Sequence, residues 1–174
     1  MEVNPLRAMR GWMAGAVVVA MVSGPAAAEE PDVAHQPSPC TVPGKPISLC
    51  ASVTDDGQVA KVRIYFRPAG EKFYSFVDMA FSGINFCGTL PAPREGKTQA
   101  VDYYVQGVDD EYETRRTSTY QLNIQPEGVC EFPPIEKDAS RAAAITVYAT
   151  SPKQGKKLPR AFLSTGVTFV PVTK

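Results

Sequence analysis

The side chains that most often perform catalysis are scarce in this sequence. The chain has a single histidine, His35, and it lies in a proline-rich stretch where we expect no rigid scaffold to hold it beside a nucleophile. The chain also lacks a nucleophile elbow (GxSxG), a phosphate-binding loop (GxxxxGK) and the zinc-protease motif HExxH. The sequence therefore predicts a protein that is not an enzyme and that needs no cofactor.

Sulfur is the second chemistry available, through Cys40, Cys50, Cys87 and Cys130. Their number is even, they form no CxxC motif, and the only histidine lies outside any metal-ligand spacing. The pattern favours two disulfides over a zinc site. Spacing alone leaves all three possible pairings open.

Two acidic turns are the third candidate. Asp55 and Asp56 precede a glycine, and Asp109, Asp110 and Glu111 form a second acidic run. Carboxylates that converge can bind calcium, a hard cation that prefers oxygen ligands. Aspartate and glycine are also ordinary turn residues, and no EF-hand spacing is present, so solvated turns are the favoured interpretation and no metal is predicted.

The N-terminal 28 residues have the features of a secretory signal peptide (residues 1–28). Arg7 and Arg10 supply positive charge, an uncharged run follows at residues 11–22, and small residues end the segment at Ala26–Ala28. The apolar run is shorter than the roughly 20 residues that a membrane-spanning helix needs. We therefore expect export to the periplasm or the exterior, with no membrane span after cleavage. An oxidising compartment agrees with disulfides.

Composition limits the fold classes and the classes of partner that this chain can have. The 18 basic and 18 acidic side chains balance, which argues against a nucleic-acid partner. Sixteen prolines and thirteen glycines favour a turn-rich β-protein. Apolar and polar residues alternate in six segments, which are residues 47–54, 61–67, 73–79, 84–90, 101–106 and 119–124. Such short, regularly spaced strands predict an antiparallel sandwich.

Some of these strands resemble those of a known class. The segments VRIYFR (62–67) and VDYYV (101–105), together with Pro91, Gly107 and Asp109, resemble bacterial exported domains of the immunoglobulin/fibronectin type III-like class. The resemblance covers about residues 45–126. It implies a seven-strand sandwich that serves as a spacer or binding module, with the seventh strand near Cys40.

The remaining segments flank that sandwich. Residues 29–44 are expected to be a proline-rich tether that ends in the first edge strand. Residues 127–174 are expected to be a C-terminal β-rich extension, whose apolar runs at 144–149 and 167–172 would form a hairpin packed on the sandwich.

The resemblance also favours one cysteine pairing. In this class the strand that begins at Ile47 and the strand that ends at Leu90 are antiparallel neighbours. If those two residues are opposite each other, Cys50 lies opposite Cys87. Cys40 and Cys130 then form the second pair. Cys40–Cys50 with Cys87–Cys130, and Cys40–Cys87 with Cys50–Cys130, remain the alternatives.

The same strand order gathers aromatic and basic side chains on one outward face: Tyr65, Tyr74, Phe76, Tyr104 and Arg63. Exposed aromatic clusters usually indicate contact with another surface. The predicted function is a non-catalytic interaction or structural module. Its aromatic-basic face would meet an envelope or extracellular protein, or be covered by the C-terminal extension. The alternative is a carbohydrate-binding accessory domain whose rings stack on a glycan.

Overall fold

The computed structural model describes residues 29–131 and 144–173. The predicted signal peptide lies outside the described residues. Among these residues every regular element but one is a β-strand, and the exception is a short 3-10 helix, Pro152–Gln154. The predicted all-β class is therefore confirmed.

Twelve strands occur among the described residues. Their bounds are β1 Asp32–Ala34, β2 Cys40–Thr41, β3 Ile47–Thr54, β4 Val59–Pro68, β5 Ser75–Asp78, β6 Ala80–Ser82, β7 Asn85–Leu90, β8 Ala100–Asp109, β9 Thr114–Arg116, β10 Tyr120–Ile124, β11 Ile145–Ala149 and β12 Val167–Val170.

The strands form two sheets. The small sheet has four strands in the order β1-β3-β7-β6. The large sheet has eight, in the order β12-β11-β5-β4-β8-β10-β2, with β9 paired to the end of β8. Most pairs are antiparallel, but β2 runs parallel to β10 and β12 runs parallel to β11.

One hydrophobic core lies between the sheets. Alternate residues of β3, beginning with Ile47 and Leu49, are buried together with alternate residues of β4 and β8, including Ile64, Phe66 and Tyr103. Side chains of successive strand residues point to opposite faces, so this alternation also determines which side chains point outward. The period of two that the sequence predicted for β3, β4 and β8 is confirmed.

The strand count differs from the seven expected. The sequence pattern treats residues 73–79 as one strand, but the chain changes sheets there. β5 pairs with β4 in the large sheet, and after Met79 the chain continues as β6 beside β7 in the small sheet. Alternation cannot reveal such a switch, because Val77 and Met79 are both buried in the same core.

The expectation of a proline-rich tether at residues 29–44 is corrected, while the edge strand expected near Cys40 is present as β2. Val33 pairs with Val53 in the small sheet, and Cys40 and Thr41 pair with β10 in the large sheet. Proline removes a ladder donor but is tolerated beside edge strands. The segment therefore docks on both sheets, and each of its strands lies at an edge.

The expectation of a C-terminal hairpin is also wrong. The two apolar runs do form strands, but β11 and β12 are parallel, with Ile145 opposite Val167. Parallel neighbours need a long connection rather than a tight turn. That connection contains the 3-10 helix and buries Phe162 in the core, edge-on to Phe66 at a ring-centroid distance of 5.2 Å.

Candidate functional site: an aromatic-arginine face

A row of aromatic rings crosses the outward face of the large sheet. Strand register aligns Tyr148 with Phe76, Phe76 with Tyr65, and Tyr65 with Tyr104. The row thus spans β11, β5, β4 and β8 without interruption. We call these four residues the aromatic ladder.

Adjacent rings of the ladder contact one another. The Tyr65 and Tyr104 rings are stacked, with centroids 4.9 Å apart and planes 8° from parallel. The Phe76 and Tyr148 rings are stacked at 4.9 Å and 14°. Tyr65 and Phe76 join the two pairs at 5.4 Å, tilted by 40°. Cross-strand aromatic contacts of this kind contribute about 0.5–1.5 kcal/mol each beyond the area they bury.

Three guanidinium groups cover further ring surfaces. Arg63 lies 4.4 Å from the Phe76 centroid, and Arg116 lies 4.8 Å from that of Tyr104. Arg67 lies 4.5 Å from the centroid of Tyr74, which itself packs edge-on against Tyr104. A cation over a ring is attracted to the negative π-face.

Polar rows border the ladder on both sides and hold two of these arginines. Arg63 Nε donates to Asp78 at 3.0 Å on one side, and Arg67 Nε donates to Asp102 at 3.2 Å on the other. Gln121 also donates to Asp102, at 3.1 Å. The aromatic surface is therefore flanked by an ion pair on either side.

Burial changes the electrostatics at the centre of the face. Desolvation raises the pKa of the Tyr104 phenol, and the neighbouring Tyr65 adds to the rise, whereas Arg116 opposes it. The phenol is therefore neutral at physiological pH and can donate a hydrogen bond. The face presents half-buried rings and hydroxyl donors on a rigid sheet.

All five residues that the sequence predicted for this face, Tyr65, Tyr74, Phe76, Tyr104 and Arg63, come together on it. Sequence reasoning missed Tyr148 and Arg116 as members of this face. Tyr148 is recognisable in principle, because it alternates with the buried Val147 and Ala149. Its place in the row depends on the pairing of β11 with β5, which alternation does not contain.

The described part of the C-terminal extension widens this face. β11 joins the edge of the large sheet beside β5 and β12 follows it, so both strands continue the sheet rather than lie across its outward surface. Residues 132–143 lie outside the described part of the chain.

The two predicted disulfides are present. Cys50 and Cys87 are opposite each other in the β3–β7 register, with Cα atoms 4.1 Å apart, and Ile47 is opposite Leu90. Cys40 and Cys130 form the second bond, with Cα atoms 5.7 Å apart. Two disulfides indicate an oxidising environment. The alternative pairings are excluded.

The acidic turns lie at one end of the sandwich and contact each other. Asp110 Oδ1 accepts from the Gln58 backbone N–H at 3.3 Å, and Asp55 Oδ2 accepts from that of Gly57 at 2.9 Å. Asp109 is buried and accepts from the backbone N–H groups of Glu111 and Glu113. Across residues 29–131 and 144–173, no three carboxylate, histidine or cysteine side chains form a group suited to a metal. Asp56 and Glu111 are exposed turn residues.

His35 is held rigidly, contrary to the expectation from sequence. Its Nδ1 donates to the Cys50 carbonyl at 2.8 Å, which leaves Nε2 of the neutral ring to accept from the Tyr103 hydroxyl at 2.9 Å. Desolvation by burial lowers the pKa of His35 below its usual value. Its partners are a carbonyl and a buried tyrosine rather than a nucleophile, so these contacts fasten the N-terminal segment to the core.

No protein-family model matches this chain, and comparison with curated proteins and with solved structures finds no significant similarity. Within the part of the chain that the structure describes, no helix has the length and hydropathy needed to cross a bilayer.

Proposed function

We propose that this protein is an exported, non-catalytic interaction module that presents the aromatic ladder and its arginines to a protein partner in the bacterial envelope or outside the cell. The observation that carries the proposal is the continuous row of four half-buried rings on the outward face of the large sheet. Soluble domains seldom leave such rows on the surface without a contact to make. Aromatic residues and arginine are also the types enriched at interface centres.

We further propose that the module is immunoglobulin-like. The orders β1-β3-β7-β6 and β5-β4-β8-β10 correspond to strands A-B-E-D and C′-C-F-G of such domains. The chain differs from antibody domains in its disulfide, which joins the strands equivalent to B and E within one sheet. It also differs in β11 and β12, which extend the sheet beyond C′.

The ring geometry favours a protein over a glycan. A sugar stacks on an open ring face, but the Tyr65 and Tyr104 faces meet each other, and Arg63 and Arg116 lie over rings of the ladder. These contacts occupy ring faces that a sugar would need and favour contact with a partner through ring edges and tyrosine hydroxyl groups. Ring edges carry the positive part of the quadrupole and suit carbonyl and carboxylate oxygens of a polypeptide.

Site-specific photocrosslinking in the native host tests the proposal. A benzophenone amino acid replaces Tyr65 at the centre of the ladder or, as a matched control, Ser48 on the outward face of the small sheet. We expect one dominant protein adduct from position 65 and none of that adduct from position 48. Equal adducts from both positions, or adducts of glycan alone, would contradict the proposal.

A binding measurement with the captured protein then tests the residues. Tyr104→Ala should weaken affinity at least tenfold, since central aromatic anchors typically contribute about 2 kcal/mol or more. Thr89→Ala, on the other sheet, should leave affinity unchanged.

A further inference from the structure

Charge is segregated between the two ends of the sandwich. Strands β3, β4 and β8 run along its length, so every turn that joins them lies at one end or the other. One end carries the segment 29–32, which leads into β1, and turns 55–58 and 110–113; we call it the acidic end. The opposite end carries turns 42–46, 69–74, 91–99, 125–131 and 150–162, which we call the basic end.

The acidic end carries no cationic side chain in those segments, and the nearest cations are Lys61 and Arg115 in the adjoining strands. Its eight carboxylates are Glu29, Glu30, Asp32, Asp55, Asp56, Asp110, Glu111 and Glu113. The basic end carries eight cations against four anions: Lys45, Lys72, Arg94, Lys97, Lys153, Lys156, Lys157 and Arg160 against Glu71, Glu95, Glu127 and Glu131. Opposed surfaces of this kind attract at a range set by the Debye length, about 10 Å at 0.1 M salt.

A projecting aromatic residue lies within the acidic end. Tyr112 is 84 % exposed, at the tip of the turn between β8 and β9. It is the only described non-glycine residue with positive φ, at 68°. The turn that carries it is fixed, because Asp109 accepts from the backbone N–H groups on either side of Tyr112, those of Glu111 and Glu113.

A depression with an apolar wall lies within the basic end. Pro43, Gly44, Pro93 and Leu163 line it together with the charged pair Arg94 and Glu95. Its wall is held by backbone bonds from Gly44 to Pro93 and from Leu163 to Ala92, both 2.8 Å. The recess thus combines apolar side chains with Arg94 and Glu95, within an end that carries an excess of cations, and Tyr112 combines an exposed ring with carboxylates on both sides.

We propose that the protein associates head to tail with further copies of itself, the acidic end of one copy docking on the basic end of the next, with Tyr112 in the recess beside Arg94. A second copy is the occupant because this chain itself carries both complementary surfaces. The two ends face opposite directions along the strands, so each contact leaves one free end of each kind. Heterologous contacts that do not close on themselves generate open chains rather than dimers.

Sedimentation velocity of the purified protein, over rising concentration and at 20 and 500 mM salt, measures this association. We expect species that grow past the dimer at low salt, and an apparent dissociation constant at least tenfold higher at high salt. A monomer at all concentrations at low salt would overturn the proposal. So would association that stops at a dimer.

Charge-reversal variants identify the surfaces. Glu111→Lys with Glu113→Lys reverses the charge on both sides of Tyr112, and Arg94→Glu with Lys97→Glu reverses the charge beside the recess; all four side chains are exposed. We expect each variant alone to lose association and an equimolar mixture of the two to regain it. Thr168→Glu, on the exposed β12 edge away from both ends, should associate as the unaltered protein does.

A substitution in the ring position separates steric from electrostatic contributions. Tyr112→Asn removes the ring while tolerating positive φ, and we expect it to weaken association at least fivefold with unchanged salt dependence. Circular dichroism establishes that each variant is folded, and Asp56→Lys is a second acidic-end variant outside the β8–β9 turn. Folded charge-reversal variants that associate like the unaltered protein would refute the assigned surfaces. The photocrosslink at position 65 is a separate readout, so either proposal can fail alone.

Discussion

The outward faces of the two sheets differ sharply although both are built over the same core. The large sheet presents the aromatic ladder between polar rows that carry Arg63 and Arg67. The small sheet presents small hydroxyl side chains and a disulfide; Ser48 lies opposite Thr89, with hydroxyl oxygens 3.4 Å apart. A face of small hydroxyl side chains, such as that of the small sheet, is sufficient for solubility. The difference identifies the large-sheet face as the one whose composition needs a further explanation.

Stability is also distributed differently between the two faces. The central strand pair of the small sheet is covalently joined through Cys50 and Cys87. The large sheet is joined across its strands by ring contacts and ion pairs. The experiments below break one kind of link at a time.

Removal of the disulfide in the small sheet should have the largest effect. Cys50→Ala with Cys87→Ala removes the crosslink between two residues that are 37 positions apart in the chain. We expect the free energy of unfolding to fall by about 2–4 kcal/mol, because the unfolded chain gains entropy. Urea denaturation measures it. If ring contacts and ion pairs hold the large-sheet face without help from the disulfide, the near-ultraviolet circular dichroism of its tyrosines should persist in the folded variant. Loss of that signal without unfolding would show that the large-sheet face depends on the disulfide.

A substitution at the centre of the aromatic ladder should have the second-largest effect on stability. Tyr65→Ala removes the stacked contact with Tyr104 and the tilted contact with Phe76. We expect a loss of about 1–3 kcal/mol in the free energy of unfolding. The matched change Ser48→Ala should stay within about 0.5 kcal/mol, as surface substitutions usually do. Equal losses would mean that the ladder contributes no more to stability than a hydroxyl pair.

The bond between His35 and Tyr103 joins the two sheets and should make stability depend on pH. Burial holds the pKa of His35 below 6.5, so the folded state favours the neutral ring. In the unfolded chain the histidine keeps its usual pKa of 6.5. The folded state therefore has its full stability above that pH and loses part of it as the pH falls through the lower pKa of the folded state. Thermal unfolding between pH 7.5 and 5 should show this decrease, and His35→Gln should remove it. A decrease of the same size in the variant would assign the effect to carboxylates.

Arginines at the edge of the ladder should affect stability least. Arg67→Gln loses the Nε bond to Asp102 and the contact over Tyr74, and Arg116→Gln loses the contact over Tyr104. Partly exposed cations of this kind contribute about 0.5–1 kcal/mol or less. Calorimetry of both variants measures it. Large losses from either variant would mean that these arginines hold the ladder in place rather than only cover it.

Alternation predicted much of the fold because it reports a local property. Ile47, Leu49 and Ala51 are buried as expected. The pairing of Cys50 with Cys87, which the resemblance implied through a register of Ile47 opposite Leu90, is present as well. The same alternation assigned Tyr65, Phe76 and Tyr104 to the outward set. Such features can be predicted from the sequence of one strand, or of two strands whose register is known.

Features that depend on distant partners were missed for a physical reason. The parallel pairing of β11 with β12, and the docking of β11 on β5, come from contacts between segments far apart in the chain. His35 was expected to be free because proline-rich composition describes local chain stiffness. Its hydrogen bonds reach residues 15 and 68 positions away.

By itself the sequence therefore determined which side chains are apolar, which alternate, and which cysteines a β3–β7 register would join. Only the tertiary structure decided that the rings of four strands form one row, that the extension continues the large sheet, and that charge divides between the two ends. Side-chain direction within a strand follows from backbone geometry at each residue. The order of strands follows from the burial of a shared core, which no local pattern records.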